Sequence, residues 1–334
     1  MANWLVGAAL ESTRNRVLSV LAVLTLLVLL IGPFFRGIPI ISQSFLFYLM
    51  FWTGLALAIN VVFGFTGYIP FGYFAFYGVG SYGFAMSYLH LNVPLPVAVL
   101  VGGAFGLVTG VVFLPMFRLE GIYFAIANFA GAYAIRIAIN LTPDDLTGGA
   151  TGLELASAYA PLQSYYAVLV VTVGVVLVTA WLLRSRLGVM LMAIRDDPIA
   201  AETSGINRGR IRSYAWLLST VFAGLYGAID AWNTAIVDPA SSFDVLLSVK
   251  PLLYAIFGGP GTLLGPVLGA GSLYFVDTLI WRALPLGSYL LTGLVLMLVV
   301  LVLPRGIIGE LEYRKLSLSG VADGLAEFWN RVVS

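Results

Sequence analysis

The chain is built from long, unbroken apolar runs, and their length decides its solvent. Val17–Phe35, Ser44–Phe63, Ile69–Leu89, Pro94–Phe117, Gly121–Asn140, Tyr165–Leu183, Tyr214–Ile236, Leu263–Trp281 and Leu286–Leu303 each approach the ~20 apolar residues that a helix needs to cross hydrocarbon. A shorter run, Leu246–Phe257, ends in the helix breaker Gly258-Gly259-Pro260-Gly261-Thr262. Backbone polar groups in lipid must be satisfied internally, so a spanning chain forms helices or a closed barrel. These runs are continuous and not alternating, which selects helices. The predicted fold is all-α and polytopic, with about ten spans including a short or broken eighth segment. Composition agrees: 10% of the residues are charged, against roughly 25% in a soluble domain.

Several function classes drop out. A net charge of +1, with no basic tail or basic-aromatic patch, gives nucleic acid no footprint. Cysteine is absent, which removes disulfides, thiolate catalysis and Cys-based metal sites. The single histidine, His90, cannot build a multi-His metal site and is expected in a short, solvated outer loop. No cluster of His, Cys or paired carboxylates offers acid–base chemistry, so an enzyme is not expected. Arg14 and Arg16 precede the first run without a small-residue cleavage site, so that run is expected to stay as a span. Trp4–Glu11 is expected to lie on the membrane surface.

Positive charge sets orientation. With Arg14 and Arg16 in the cytoplasm, Arg118 and the arginines from Arg184 onward also fall inside, and the Lys- and Arg-free stretch Thr142–Ser164 falls outside. Arg305, Arg314 and Lys315 fall inside if the short segment crosses, which places both termini in the cytoplasm. The expected organisation is a transmembrane domain over 1–309, a cytoplasmic loop over 184–213, and a tail over 310–334. Leu316, Leu318, Leu325, Phe328 and Trp329 suggest a short interfacial helix in that tail.

The polar stretch Arg184–Arg212 interrupts the apolar pattern. It carries Arg184, Arg186, Arg195, Arg208, Arg210 and Arg212 against Asp196, Asp197 and Glu202. Asp197 can cap a helix that opens on Pro198, whose missing N–H is not needed there. Gly205 suits the left-handed residue that closes it. The predicted helix is a rod of about 10 Å with Ala200, Ala201 and Ser204 small enough for close docking. Two readings stand at this point: a docking arm for another protein, or a solvated helix whose arginines only set topology.

The residues around this rod add weight to the first. Arg195 to Asn207 resembles a segment of branched-chain amino acid ABC importer permeases that forms the helix docking onto the ATPase subunit. Other blocks resemble the same family in the same order. They are Gly67–Tyr82, Leu119–Ile126, Thr147–Leu153 (the Thr-Gly-Gly block), Gly258–Ala270 (the Gly-Gly-x-Gly-Thr block) and the closing Pro304–Gly309. Together they cover most of the chain. The resemblance implies a multi-pass permease in a bacterial inner membrane, embedded in membrane lipid. Its expected partners are a homologous second permease subunit, two cytoplasmic ATPase subunits and a periplasmic solute-binding protein. It assigns coupling to Arg195, Asp196, Asp197, Ala200, Ala201, Glu202 and Gly205. No cofactor is expected in this chain, ATP and Mg belonging to the partner ATPases. Gly258–Gly265 lacks the Gly-Lys-Ser/Thr of a phosphate loop.

The chain departs from the family pattern where solute would pass. Pro70 and Tyr73 replace a Ser and a His, Asn128 replaces a Thr, Asp230 replaces an aromatic residue, and Lys250 stands where an acidic or neutral residue is usual. The substrate therefore stays open among branched-chain amino acids, other amino acids, urea, short amides and aromatic acids. Ionisable groups at a span centre cost about 2.5–3.5 kcal/mol on insertion scales, which singles out Arg136, Asp230, Lys250 and Asp277. Asp230 and Lys250 are expected to pair, either at the outer mouth of a path or as a structural ion pair. Asn60 and Asn128 are path candidates, with interhelical bonding as the alternative. The glycines Gly64–Gly83 are read mainly as close-packing positions. A stand-alone channel or secondary carrier for a small polar solute is the competing function; it needs no soluble partner.

Overall fold

The computed structural model describes residues 24–34, 42–283 and 293–294. Trp4–Glu11, the residues 17–23, nearly all of Leu286–Leu303, the basic residues Arg14, Arg16, Arg305, Arg314 and Lys315, and the tail 310–334 lie outside them. Two compact units divide between Met50 and Phe51. The first holds α1 (Leu24–Phe34), which closes in a 3-10 turn, and the beginning of α2 (Gln43–Thr66).

The second unit carries the rest of α2 and then α3 (Phe74–Leu91), α4 (Leu95–Phe113, extended by a 3-10 turn to Arg118) and α5 (Ile122–Asn140). The short α6 (Asp144–Thr147) and strand β1 (Leu153–Glu154) precede α7 (Pro161–Arg184), α8 (Arg186–Asp196), α9 (Pro198–Thr203) and α10 (Arg208–Thr234). Strand β2 (Ile236–Val237), α11 (Pro239–Ser242), α12 (Leu246–Gly258) and α13 (Leu264–Ala283) complete it. By length and composition α2, α4 with its extension, α5, α7 and the stretch Pro239–Gly258 can each cross a membrane. Among the described residues this membrane protein is helical apart from turns and one two-residue antiparallel ladder, in which Leu153 faces Val237.

The core is the trio α3, α4 and α10. Glycines let their backbones touch: a Cβ on Gly80 would lie 2.3 Å from the Gly224 carbonyl, and one on Gly224 would lie 2.5 Å from that of Gly102. The packing reading of the glycines therefore holds at Gly80. Helices α3 and α10 run parallel, since Tyr73 meets Ser219, Gly80 meets Gly224 and Phe84 meets Trp232. Trp216 is fully buried among Phe76, Phe117 and Phe124 and donates Nε1–H to Gly110 O at 2.9 Å.

Three boundaries differ from the hydropathy reading, each for a local reason. The run expected to begin a helix at Ile69 begins one at Phe74. Gly67 takes φ +77°, and Pro70 disfavours helix at the residue before it. The stretch expected as an arginine-rich loop is mostly helix: α8 fills 186–196, and α10 starts at Arg208 rather than Tyr214. Asn207 caps α10 by accepting from Arg210 N at 3.0 Å. The eighth segment is short as expected: α12 holds 13 residues, Leu246–Gly258, with Pro251 inside it, and ends at the Gly258–Thr262 breaker, while the four-residue α11 precedes it.

Candidate functional site

The polar arm α8–α9 is attached to the span ends by its inner face. Leu191 and Ile194 of α8 and Ala201 of α9 are buried with Val61, Phe65, Leu182, Ile211 and Ala215. Gly188 sits where α8 turns away from α7, with the Leu182 carbonyl 1.9 Å from a would-be Cβ. Asp197 caps α9 as its sequence predicts, Oδ1 accepting from Ile199 N at 2.9 Å and Ala200 N at 3.0 Å. Gly205 ends the turn at φ +85°. The outer face is not the one expected. Ala201 points inward, and Ile199, 73% exposed, is the apolar group offered to solvent beside Ala200 and Ser204. Asp196 is exposed at the corner between the two helices.

Two arginines tie the arm down. Arg195 Nη1 donates to Gly64 O at 2.6 Å, at the end of α2. Arg208 bonds Glu202 at 2.6 Å and approaches Glu120 to 3.6 Å, joining α9, α10 and the start of α5. Arg212 donates to Tyr68 Oη at 2.6 Å with its guanidinium 4.3 Å from the ring centre. A polar groove of about 480 Å³ opens between Phe117–Glu120 and Glu202–Arg212.

The polar residues within the spans are dispersed, and each has its own setting. Asn60 is fully buried; Nδ2 donates to Thr262 O at 3.0 Å and Oδ1 accepts from Gly261 N at 2.9 Å. It thus holds the Gly258–Gly265 turn onto α2, next to the Arg195–Gly64 bond. Asn128 Oδ1 accepts from Gly72 N at 2.7 Å, while its Nδ2 is buried without a partner. With Ser248 Oγ, which accepts from Phe74 N at 2.8 Å, Asn128 satisfies the backbone where α3 starts late. The expected pairing of Asp230 with Lys250 does not occur. Lys250 Nζ bonds Asp277 Oδ2 at 3.0 Å, joining α12 to α13. Asp230 is carried away on α10 and accepts from Tyr77 Oη at 2.5 Å. Arg136 rests 5.6 Å from the Tyr133 ring centre, and the exposed His90 meets Leu146 O at 3.1 Å.

Asp230 lies in a cavity of about 140 Å³ at the end of α10 remote from α9, lined also by Tyr77, Ser81, Thr234, Asp238 and Ser241. Hydropathy alone could not have found Tyr77, Ser81 or Asp238. Tyr77 and Ser81 lie on α3 and Asp238 follows β2, and only the packing of these elements on α10 gathers them around Asp230.

The family model of the branched-chain amino acid transport system permease component matches this chain over residues 41–301. The chain belongs to this family of ABC permeases. Among its relatives, the high-affinity branched-chain amino acid transport system permease protein LivM of Salmonella typhimurium is 29% identical over 305 residues, covering 81% of this chain and 70% of the relative. LivM of Escherichia coli K12 is 28% identical over 342 residues, covering 91% and 78%. The probable branched-chain amino acid transport permease protein LivH of Methanocaldococcus jannaschii is 25% identical over 269 residues, covering 71% and 83%. No solved structure shows a significant match.

In this permease the residues that depart from the family pattern are held by bonds within the chain. Tyr73 Oη lies 2.9 Å from both Ser219 O and Ser219 Oγ, and Ser219 Oγ donates to Ala58 O at 2.6 Å. Pro70 accepts from Tyr73 N at 3.1 Å in the non-helical rise before α3. Asn128, Asp230 and Lys250 complete the set as described, so the replacements act together with the partners they bond.

Proposed function

We propose that this permease is the transmembrane subunit of an ATP-driven importer for branched-chain or related amino acids in a bacterial inner membrane. In this reading both termini face the cytoplasm. Arm α8–α9 receives one of two cytoplasmic ATPase subunits that hold the ATP and Mg, a homologous permease completes the membrane pair, and a periplasmic binding protein delivers solute. The arm is the observation that supports coupling most strongly. It is a capped six-residue helix with one face packed on α2 and α10 and an exposed isoleucine on the other. A topology-setting loop needs arginines, but it needs neither a buried inner face nor the Arg195–Gly64 bond that ties it to a span. The relatives, named as branched-chain amino acid transport permeases, support the amino acid assignment.

ATP binding would draw the two ATPases together and shift α9. Arg195 and the buried face of the arm would pass that shift to α2 and α10. Asn128, Asp230 and Lys250 remain the proposed path-facing set, while Asn60, the fourth candidate, is read as a bracket that fastens the Gly258–Gly265 turn to α2. Lys250 ties α12 to α13, and Asp230 borders the cavity remote from the arm. Co-purification tests the reading. The wild-type chain should retain an ATPase subunit, and Ile199→Glu should lose it while keeping its unfolding temperature. Uptake against a gradient by the chain alone in liposomes would refute the reading in favour of a carrier.

A further inference from the structure

The cavity at the end of α10 has a charge balance that calls for an occupant. Its lining includes two carboxylates, Asp230 and Asp238, and the hydroxyls of Tyr77, Ser81, Thr234, Ser241 and Ser242. No lysine or arginine lines it. Asp238 is already engaged: Oδ1 accepts from Ala240 N and Ser241 N, both at 2.9 Å, and Oδ2 meets Ser241 Oγ at 2.5 Å. Asp230 is only half engaged. Oδ2 takes the Tyr77 hydrogen bond, and Oδ1 is buried with no partner. The lysine expected beside it is instead spent on Asp277.

A buried carboxylate oxygen without a counter-charge is costly, and proteins relieve it with a proton, a paired cation or a ligand. Here there is room for a ligand, since about 140 Å³ exceeds the roughly 30 Å³ share of one water. The donor set is all oxygen. Among the described residues no three His, Cys, Asp or Glu side chains cluster as a metal group. That leaves a divalent or transition ion short of charged ligands, whereas a singly charged guest needs only one or two carboxylates. Thr234, Ile236 and Ser241 are exposed at the rim, so the cavity opens away from the arm.

We propose that this cavity binds a small monovalent cation, either an alkali ion or an alkylammonium head, with the Asp230 carboxylate as the principal ligand and Asp238 supplying the second negative charge. The hydroxyls of Tyr77, Ser81 and Thr234 are placed to complete its coordination. An ammonium head could come from the transported solute and an alkali ion from the medium; the chemistry offered to both is the same. The site stands whether or not the arm engages an ATPase, because its test reads binding and not uptake.

The test uses the purified full-length chain with any subunits that co-purify. Its unfolding temperature is followed in NaCl, KCl or methylammonium chloride, each against N-methyl-D-glucamine chloride at the same ionic strength. A saturable upward shift with at least one small cation is expected. It should vanish in Asp230→Asn, which keeps the acceptor for Tyr77, and persist in Asp145→Asn, an exposed carboxylate elsewhere. Asp238→Asn keeps the α11 cap and should weaken the apparent affinity about tenfold, the scale of one screened unit charge at contact distance. It provides the second readout if Asp230→Asn does not fold. Leucine set against N-acetylleucine separates the sources: a shift with leucine alone assigns the site to the solute's amino group, and a shift with sodium or potassium assigns it to a free ion. Absence of any cation-specific shift, or an equal shift in Asp230→Asn, overturns the proposal.

Discussion

Asn60→Ala separates two accounts of a fully buried amide. The side chain makes two bonds to one turn, donating to Thr262 O at 3.0 Å and accepting from Gly261 N at 2.9 Å. Interhelical bonds within membranes are worth on average about 0.6 kcal/mol and at most about 1.7 kcal/mol each, so losing both destabilises by about 1–3 kcal/mol. Alanine leaves the Gly261 N–H and the Thr262 carbonyl buried and unpaired, which places the effect toward the upper end. Gly261 also lies against Arg195, whose Nη1 is 2.7 Å from a Cβ built there. Arg195→Ala should therefore couple with Asn60→Ala in a double-mutant cycle by about 0.5 kcal/mol or more, as expected for neighbours that share a partner. The assay is the unfolding temperature of the purified chain with its co-purifying subunits, alongside uptake selectivity across several amino acids. The bracket account expects lower stability and unchanged selectivity. Unchanged stability with altered selectivity would refute it and return Asn60 to the solute path.

Other expectations follow from the same geometry. Lys250→Met alone should destabilise by about 3–5 kcal/mol, because it removes the counter-charge of the buried Asp277, and Lys250→Met combined with Asp277→Leu should recover most of that loss; thermal unfolding of both variants checks it. Gly224→Ala places a methyl against the Gly102 carbonyl at 2.5 Å and should cost about 1–3 kcal/mol by overpacking, read from membrane expression and unfolding temperature. Asp197→Ala should lower α9 stability by about 0.5–2 kcal/mol while Asp197→Asn preserves it, with faster amide exchange confined to Ile199 and Ala200.

Much of this fold was legible because lipid imposes a simple rule. Wherever about 20 apolar residues ran unbroken, a long helix was expected, and α2, α4, α5 and α7 lie there. The Asp197–Gly205 helix was legible for a different reason: capping is local chemistry, and Asp-Pro at one end with Gly at the other leaves few alternatives. The late start of α3 was not legible. Its exposed backbone donors are satisfied by Asn128 and Ser248, which lie 56 and 174 residues away in sequence. The partner of Lys250 was misassigned for a related reason. Asp230 and Asp277 both lie on helices near α12 in sequence, and only the packing of α12 on α13 favours Asp277. Helix α8 hid among arginines because its buried face amounts to a few residues, Leu191 and Ile194 among them, too narrow a stripe to stand out from the surrounding charge.

Helix α10 brings the two proposed sites into one mechanical frame. It starts at Arg208, bonded to Glu202 of the arm, and ends at Thr234 on the rim of the Asp230 cavity. Its 27 residues make a rod of about 40 Å. The rod has little freedom to bend independently of its neighbours. Gly224 and Gly227 bring its backbone against Gly102, Gly106 and Tyr77, and Trp216 is bonded to α4. Packed interiors shift between discrete arrangements and do not deform continuously, so a displacement of Arg208 by the arm should carry the whole α3–α4–α10 trio with it. Tyr77 and Ser81 lie on α3, Asp230 and Thr234 on α10, and Asp238 and Ser241 beyond the end of β2. A movement of the trio that leaves α11 behind would change the spacing between Asp230 and Asp238 while leaving the Tyr77–Asp230 bond intact. If both proposals hold, ATP binding by the ATPase subunits docked on the arm alters cation affinity at the cavity, and by linkage the cation alters ATP affinity by the same factor.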